Sequence, residues 1–490
     1  MTHVNVKNLL DIAAALSKEK DYNKLLSKIV SEAMSITGCD GGTLYLKQNG
    51  KLVFTIMKTN SLGYDRGADG QQISLPPVPF DRKNVCARAA IDRRVINVPD
   101  VWNTEQFDFS GPRTYDAITG YHTQSMLVAP MESYTGEIIG VLQLINAQDE
   151  NGKIVPFHEV FEGAIVSLAS LAAVSISNMS YLQETAELFH SFVYSIIEAL
   201  DQRTPYNANH TKNMVRYAEQ FISYLDHACE QGRASWRFSE NDREQFIIAV
   251  WLHDVGKIVI PAEIMNKDSR LGHEETAVWH RLHTISLLAK IDFLEHRLNA
   301  EQYAARLADI QDAQTFLERV NRAVSLDDAD IAGIAGIAAR TYRDEAGAER
   351  PWLTAREQEL LSIRRGTLSG GERQIMNSHV ELTSKLLGKI KFTEAYRSVP
   401  GWAAKHHELM DGSGYPNRLK GDEVPREVRL LTILDVFDAL TASDRPYRPA
   451  FPVEQAFSVL DDMVREGKLD GEIVQLFRES RAWEGRDAAD

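Results

Sequence analysis

The sequence predicts a multidomain α+β protein: an N-terminal domain with an antiparallel sheet and flanking helices, then a long helix, then an all-α domain. Three observations lead to this prediction. The 490 residues suffice for about three domains of about 150 residues each. Short runs of alternating apolar residues, typical of strands, lie in the first third of the chain. After Pro205 the pattern is almost wholly helical.

Composition excludes several classes of protein. Hydrophobic residues make up 44% of the chain and charged residues 25%, so it is not collagen-like, disordered or disulfide-stapled. The net charge of −15 argues against general nucleic-acid binding. Three scattered cysteines suit a reducing compartment. The most apolar stretch, 163–176, is too short to span a bilayer, so we expect a cytoplasmic protein with no membrane partner.

The N-terminal domain, residues 1–165, is predicted from an amphipathic helix pattern that starts near Leu9 and from strand patterns that follow it. The last two strands form a hairpin, because the turn 133–136 separates them. Helices covering one antiparallel sheet are the expected arrangement. The strand candidates are residues 43–46, 52–57, 125–129 and 138–145.

A long helix without proline follows, and we assign residues 166–200 to it as a connecting helix. Its apolar positions recur at alternating steps of three and four, with Asn178 as a polar position that could set the register of a coiled coil. Two interpretations remain open: a seam that pairs two chains, or an amphipathic helix packed on its own domain. The seam consists of Leu168, Leu171, Ser175, Asn178, Leu182, Thr185, Phe189, Phe192, Ile196 and Ala199.

Residues 201–480 are predicted as one helical domain, followed by a polar tail at 481–490. Its histidines and two aspartates stand in helical, mostly apolar surroundings. His253-Asp254 ends one apolar run, and Asp435 interrupts another, where an unpaired carboxylate would be costly. Unrelated core and surface histidines are the less favoured alternative. Enough ligands for two divalent ions are present: His210, His253, Asp254, His379, His406, His407 and Asp435.

Three motifs in this half resemble the HD-GYP family, the bacterial phosphodiesterases of cyclic di-GMP. They are HDVGKIVIP (253–261), HHELMDGSGYP (406–416) and LDVFDALTASDRPYR (434–448). The resemblance covers about residues 197–476 and implies that the same seven residues hold the metal, with iron or manganese favoured. Members with a third metal use a glutamate where this chain has Tyr206, so we expect a centre of two ions.

The resemblance also implies catalytic roles. Asp254 would bridge both metals, and Lys257 would offset charge on the phosphoryl oxygens as a bridging hydroxide attacks phosphorus. The product would be linear pGpG, with GMP as the product of a second cleavage. The substrate-binding residues implied are Lys257, Gly414, Tyr415, Pro416, Arg445 and Arg448.

A helical insertion at about 268–364 complicates the choice of the middle ligand. The segments 270–291 and 367–390 are weakly similar, so His280 and His283 compete with His379 for that role. We favour His379, because it follows a capping-type helix start and precedes His406 by a family-like interval.

The segments YDAITGYHTQSMLVAPM (115–131) and GEIIGVLQLINA (136–147) resemble GAF domains. The resemblance implies a ligand site at Asp116, Thr119 and Thr123 for a small molecule or a cyclic nucleotide. Helix capping and turn hydrogen bonds are the alternative role of these three residues. A GAF sensor domain would regulate the phosphodiesterase, and the connecting helix favours a homodimer.

Two other functions remain open. The chain could be a non-catalytic sensor of cyclic di-GMP or a protein that docks diguanylate cyclase domains, although every expected ligand of a two-metal centre is present. Alternatively, it could be another HD-superfamily phosphohydrolase acting on a different nucleotide, although the GYP loop argues against this.

Overall fold

The computed structural model describes most of the chain, in two compact units, Met1–Phe189 and His190–Asp490. The predicted site residues Thr119, Arg445 and Arg448 lie outside the described residues, as does Tyr206. The described residues are 6–19, 21–110, 113, 116–117, 120–203, 209–442 and 450–484.

The first unit contains the predicted antiparallel sheet with helices against it, which confirms the fold class for this part of the chain. Helices of this unit are Val6–Lys18, Tyr22–Thr37 and Val85–Asp92. The strands are β1 Cys39–Gln48, β2 Lys51–Thr59, β3 Tyr64–Arg66, β4 Val78–Pro79, β5 Ile96–Val98, β6 Met126–Glu132, β7 Ile138–Gln148 and β8 Ile154–Val155. The strand order is β3-β2-β1-β7-β6-β5, with β4 beside β2 and β8 beside β7.

The helix Tyr22–Thr37 shows how local sequence sets this packing. The Asp21 side chain accepts a hydrogen bond from the Lys24 backbone N–H at the start, and Gly38 ends the helix in the left-handed conformation at φ 63°. Gly42 of β1 lets the helix approach closely, because a Cβ there would lie 2.8 Å from a Val30 methyl carbon. The buried helix face therefore lies directly on the sheet.

The connecting helix, Val160–Arg203, has 44 residues. By length and composition alone it is long and apolar enough to cross a membrane, contrary to our expectation from the sequence; 44% of its most apolar window is buried inside the protein. A core helix passes the same test, and several apolar side chains of this helix belong to the core of the first unit. They are Ile165, Leu168, Ala169, Ala172, Ala173 and Ile176.

The predicted seam is wrong for the first turns of this helix. Leu168 is fully buried in the core of the first unit, so it is not available to a partner helix. Further along, the apolar side chains of Leu182, Leu188 and Phe192 are 73%, 71% and 56% exposed. Packing on its own domain therefore explains the buried face of the first part of the helix.

The second unit is mainly helical. Its core surrounds Phe437 and Phe477 and includes side chains from five helices: His210–Glu230, Glu240–Leu252, Arg426–Thr441, Val453–Arg465 and Gly471–Ser480. The other described helices outside the insertion are Ala262–Met265, Gly370–Asn377, His379–Leu387 and Val399–Ala403.

The inserted block has a hydrophobic core of its own, which includes Leu282, Leu317 and Trp352. The guanidinium of the fully buried Arg270 donates to the carbonyls of Val320, Ala323 and Ile363 and so joins the two ends of the block. A short hairpin that the sequence did not predict is also present. The elements are Glu275–Leu294, Ala300–Arg322, Asp328–Ala338, β9 Thr341–Arg343, β10 Glu349–Pro351 and Ala355–Leu361.

Candidate metal centre

The HD pair is placed by a helix end and a tight turn. Helix Glu240–Leu252 stops at His253, and a 3-10 turn, Val255–Val259, follows Asp254. Gly256 permits this turn to touch helix His379–Leu387, because a Cβ at 256 would lie 2.0 Å from the His379 carbonyl oxygen. The Thr383 hydroxyl donates to the His253 carbonyl at 3.0 Å and accepts from the Gly256 N–H at 2.9 Å. The HD pair and His379 are thus fixed relative to one another.

Four histidines are oriented by hydrogen bonds at Nδ1. A carbonyl oxygen can only accept, so the Nδ1 atoms of three of these rings carry the proton and leave a lone pair on Nε2. In the fourth, His210, Nδ1 lies against a carboxylate. These are the contacts that typically orient metal-binding histidines. The pairs are His253 with the Val250 carbonyl (2.7 Å), His379 with the Met376 carbonyl (2.7 Å), His406 with the Ala403 carbonyl (2.8 Å) and His210 with Asp438 Oδ2 (2.6 Å).

The Asp254 carboxylate lies at the centre of these rings. Its Oδ1 is 3.3 Å from His379 Nε2 and 3.8 Å from His406 Nε2. Its Oδ2 is 3.3 Å from His253 Nε2 and 3.9 Å from His210 Nε2. The two oxygens therefore face different histidines, as a bridging carboxylate requires.

Asp435 spans the same two sets of ligands from another side. One carboxylate oxygen is 3.3 Å from His210 Nε2, and the other is 3.6 Å from His407 Nδ1. The structure thus brings the seven predicted ligands together. Six of them form two clusters, in each of which one potential ligand atom per residue lies within 4.8 Å of the others: His379, His406 and His407, and His210, His253 and Asp254.

The centre contains more hydrogen-bond acceptors than donors. His379 Nε2 and His406 Nε2 are 3.3 Å apart, although both atoms are acceptors when Nδ1 carries the proton. Within the described part of the chain, His253 Nε2 and Asp254 Oδ1 are buried without a hydrogen-bond partner. Facing acceptors of this kind need a cation between them, and the imidazole and carboxylate set fits divalent transition metals.

The pKa shifts of the side chains without metal agree with a role in metal binding. Burial lowers the pKa of His379 to about 4 and holds the pKa of His406 well below its usual value, so both rings are neutral near pH 7. Burial alone would raise the pKa of Asp254, but the Lys257 ammonium and the histidines around it hold that pKa well below its ordinary range. The centre therefore offers an ionised carboxylate at Asp254 and neutral rings at His379 and His406, the protonation states that bind metals.

His210 behaves differently. Burial would lower its pKa, but contacts with the carboxylates of Asp435 and Asp438 raise that pKa to about 9. Without metal its ring is protonated near pH 7, so a metal ion that binds Nε2 must displace a proton.

Among the described residues predicted to bind substrate, Lys257 and Tyr415 lie beside this centre. The Lys257 ammonium contacts Asp254 Oδ2, and the side chain is 20% exposed. The Tyr415 ring lies 4.9 Å from the His407 ring, and the Tyr415 N–H donates to the His407 carbonyl at 3.1 Å. Gly414 permits this contact, because a Cβ there would be 2.3 Å from the Leu409 nitrogen. Pro416 follows in the same partly buried loop.

His280 and His283, the competing ligand candidates, are both exposed on the insertion helix Glu275–Leu294. Of the three candidates for the middle ligand, His379 is the one that lies beside Asp254.

Sequence reasoning missed Asp438. It lies three residues after Asp435 on helix Arg426–Thr441 and is fully buried against His210. The signal was present in the sequence, because a second carboxylate at i+3 lies on the same helix face as the first. Thr432, which donates to the His406 carbonyl at 2.8 Å, was also missed.

Two of the three predicted GAF ligand residues, Asp116 and Thr123, are already paired with one another. The Thr123 N–H donates to Asp116 Oδ2 at 2.8 Å, and the Thr123 hydroxyl donates to Asp116 Oδ1 at 2.9 Å. Both residues are buried. This geometry corresponds to the alternative structural role, so a ligand would have to displace an existing pair. The ligand site stays a prediction.

Comparison with known proteins assigns both domains. A GAF domain model matches residues 21–176, and an HD domain model matches residues 356–473. The HD match includes His379, His406, His407 and Asp435, whereas His253 and Asp254 precede it.

The chain is similar to phosphodiesterases of cyclic dinucleotides. It is 35% identical over 97 residues to 3'3'-cGAMP-specific phosphodiesterase 3 of Vibrio cholerae, covering 20% of each protein. The chain is 40% identical over 115 residues to 3'3'-cGAMP-specific phosphodiesterase 2 of Vibrio cholerae, covering 23% of this chain and 21% of the relative. The cyclic di-GMP phosphodiesterase response regulator RpfG of Xanthomonas campestris is 31% identical over 179 residues, 36% of this chain and 46% of the relative.

The matched segments span less than half the length of each of these relatives. The predicted GAF and HD domain types are nevertheless confirmed: the GAF match precedes the HD match along the chain.

Proposed function

We propose that the chain is an HD-GYP phosphodiesterase that hydrolyses cyclic di-GMP to pGpG, and that the GAF domain regulates it. One observation carries the proposal: the Asp254 carboxylate faces histidines with both oxygens, in a buried cluster whose acceptors need a cation. The similarity to named cyclic di-GMP phosphodiesterases supports the choice of substrate.

We assign two divalent ions, iron or manganese, to the two clusters around Asp254. Metal bound here would supply Lewis-acid activation of the phosphodiester and of a water nucleophile. The chain supplies the rest. Lys257, which contacts Asp254, would offset negative charge that develops on the phosphoryl oxygens, and the Tyr415 ring beside His407 would stack on the substrate.

The test is hydrolysis by full-length protein purified without oxygen, with metal content measured on the same sample. We expect iron or manganese near two ions per chain and conversion of cyclic di-GMP to pGpG. Preferred cleavage of 3'3'-cGAMP, the substrate in the names of two relatives, would overturn the substrate assignment. Binding of cyclic di-GMP without hydrolysis would instead support the non-catalytic sensor.

We also propose a cytoplasmic homodimer in which the exposed part of the connecting helix pairs with a second copy. The exposed side chains of Leu182, Leu188 and Phe192 support this part of the proposal, because they leave apolar surface for a partner beyond the part of the helix that packs on its own unit. Sedimentation at micromolar concentration tests it: the chain should be dimeric, and Leu188→Glu should be monomeric.

A further inference from the structure

Next to the predicted ligand His407 lies a carboxylate that the proposed chemistry does not use. The Glu408 side chain is 1% exposed. Its Oε1 accepts from the Asn417 backbone N–H at 2.6 Å, and its Oε2 accepts from the Leu419 backbone N–H at 2.9 Å. A buried carboxylate is costly unless it is hydrogen-bonded, and here both oxygens bind the same loop.

These bonds fix the end of the GYP loop. Arg418, which lies between the two bound amides, adopts φ 57°, a left-handed conformation that is uncommon for residues other than glycine. At the other end, the Tyr415 N–H donates to the His407 carbonyl at 3.1 Å. Residues 415–419 are therefore tied to His407-Glu408 through three backbone amides.

The segment that carries Glu408 is itself held in place. The Glu408 N–H donates to the Lys405 carbonyl at 2.8 Å. The Thr432 hydroxyl donates to the His406 carbonyl at 2.8 Å, which joins the segment to helix Arg426–Thr441. The loop is thus bound to a fixed support that also carries two predicted metal ligands.

We propose that Glu408 is a positioning residue for substrate binding: its carboxylate holds the GYP loop so that the Tyr415 ring stays against His407. The ring can then stack on a base of the substrate without first being ordered. This inference rests on the proposed function, because it assigns Tyr415 to the binding of a cyclic dinucleotide.

The first test measures the loop directly. Glu408→Gln keeps the size of the side chain but replaces one acceptor oxygen with an NH₂ group that faces a backbone N–H. In metal-loaded full-length protein, hydrogen exchange should become at least about tenfold faster in the peptide that contains Asn417 and Leu419, with metal content unchanged. The matched control is Glu301→Gln, which changes an exposed glutamate of the insertion and should alter neither. Unchanged exchange in this peptide would overturn the inference.

The second test asks whether Glu408 acts through Tyr415. Glu408→Gln and Tyr415→Ala should each raise KM for cyclic di-GMP several-fold and change kcat less. The double variant should raise KM no further than Tyr415→Ala alone, because the two residues form one unit. Additive effects of the two substitutions would overturn the inference.

A third variant covers the case in which Glu408→Gln folds poorly. Arg418→Gly removes the steric cost of the left-handed conformation at this position, because glycine adopts positive φ readily. The loop then depends less on the Glu408 carboxylate to keep its shape. Adding Arg418→Gly to Glu408→Gln should restore part of the protection of the loop against hydrogen exchange. A double variant that exchanges as fast as Glu408→Gln alone would contradict the proposal that the Glu408 carboxylate holds the loop. Absence of cyclic dinucleotide hydrolysis by the unaltered chain would overturn the proposed function, whereas the exchange result decides on Glu408 separately.

Discussion

Each of the two units contains buried carboxylates among other polar side chains, and within the described residues only the cluster of the second unit resembles a metal site. In the GAF unit, Asp40, Asp116, Tyr121, Thr123 and Asn146 bring carboxylate, hydroxyl and amide groups into two networks. In the HD unit, imidazoles surround carboxylates. The difference lies in the balance of donors and acceptors.

In the GAF unit the acceptors have donors. Asp40 Oδ1 accepts from the Ser61 N–H at 3.0 Å, and its Oδ2 accepts from the Tyr121 hydroxyl at 2.8 Å. The Asn146 amide donates to the His122 carbonyl at 2.7 Å and accepts from the Gln124 N–H at 2.7 Å. Such a network is complete without a ligand and stabilises loops.

In the HD unit the acceptors face one another, as His379 and His406 do, and Asp254 Oδ1 is buried among them. A cluster like this would be destabilising as a purely structural network, because buried unpaired acceptors cost free energy. The carboxylates are common to both clusters, and the balance of donors and acceptors around them separates the two cases. The following substitutions break or sharpen this contrast.

The largest effect should come from Asp254→Ala, which removes the carboxylate shared by both clusters. We expect bound metal and hydrolysis to be lost together. Activity should fall by more than about 100-fold, which exceeds the usual effect of removing a residue that only orients a metal ligand. Metal content by mass spectrometry and hydrolysis of cyclic di-GMP are the measurements. Full metal content in an inactive protein would contradict the bridging role.

The similarity between segments 270–291 and 367–390 provides an internal control for the middle metal ligand. His379→Ala should also deplete metal and activity, because the His379 ring contacts Asp254. His280→Ala removes an exposed ring from the segment with the similar sequence and should leave both within about twofold of the unaltered protein. The reverse result would transfer the middle ligand to the insertion.

Lys257 tests whether charge near Asp254 serves the metal or the reaction. Lys257→Ala should retain metal yet hydrolyse about 10²–10³-fold more slowly, equivalent to about 2.7–4 kcal/mol, the usual effect of removing one group that stabilises transition-state charge. The comparison needs kcat at saturating substrate together with metal content. A normal rate would show that the ammonium only neutralises Asp254.

Asp438 should have a smaller, pH-dependent effect. Asp438→Asn should weaken metal binding about 10–100-fold, because the carboxylate orients His210. Burial lowers the His210 pKa, but Asp435 and Asp438 raise it to about 9, so the protonated ring stabilises the metal-free fold below about pH 6.5. That contribution is lost as pH rises through about 9. The difference in thermal stability between metal-free protein and Asp438→Asn should therefore shrink over this range; a constant difference would contradict it.

The sequence predicted the fold class, and it predicted a set of histidines that the structure brings together, because its signals were local: apolar periodicity, caps and compact motifs. The missed features depend on long-range packing. Asp438 matters because its helix meets His210, and Leu168 is buried because the connecting helix covers the sheet of its own unit. The Asp116–Thr123 pair shows the same limit. Residue type predicted a ligand site at these positions, whereas the structure shows the two side chains hydrogen-bonded to each other.

The smallest effect on catalysis should come from that pair. Thr123→Val keeps the backbone bond to Asp116 Oδ2 but leaves Asp116 Oδ1 without its hydroxyl partner. The unfolding free energy of the GAF domain should fall by about 1–3 kcal/mol, the cost of one unsatisfied buried acceptor. Metal content and hydrolysis in the absence of effector should be unchanged, since a satisfied network has no catalytic part. The matched variant Thr135→Val removes an exposed hydroxyl of the same domain and should cost far less. A stability equal to that of the unaltered chain would mean that Asp116 finds another donor, and the two clusters would then differ less than their geometry indicates.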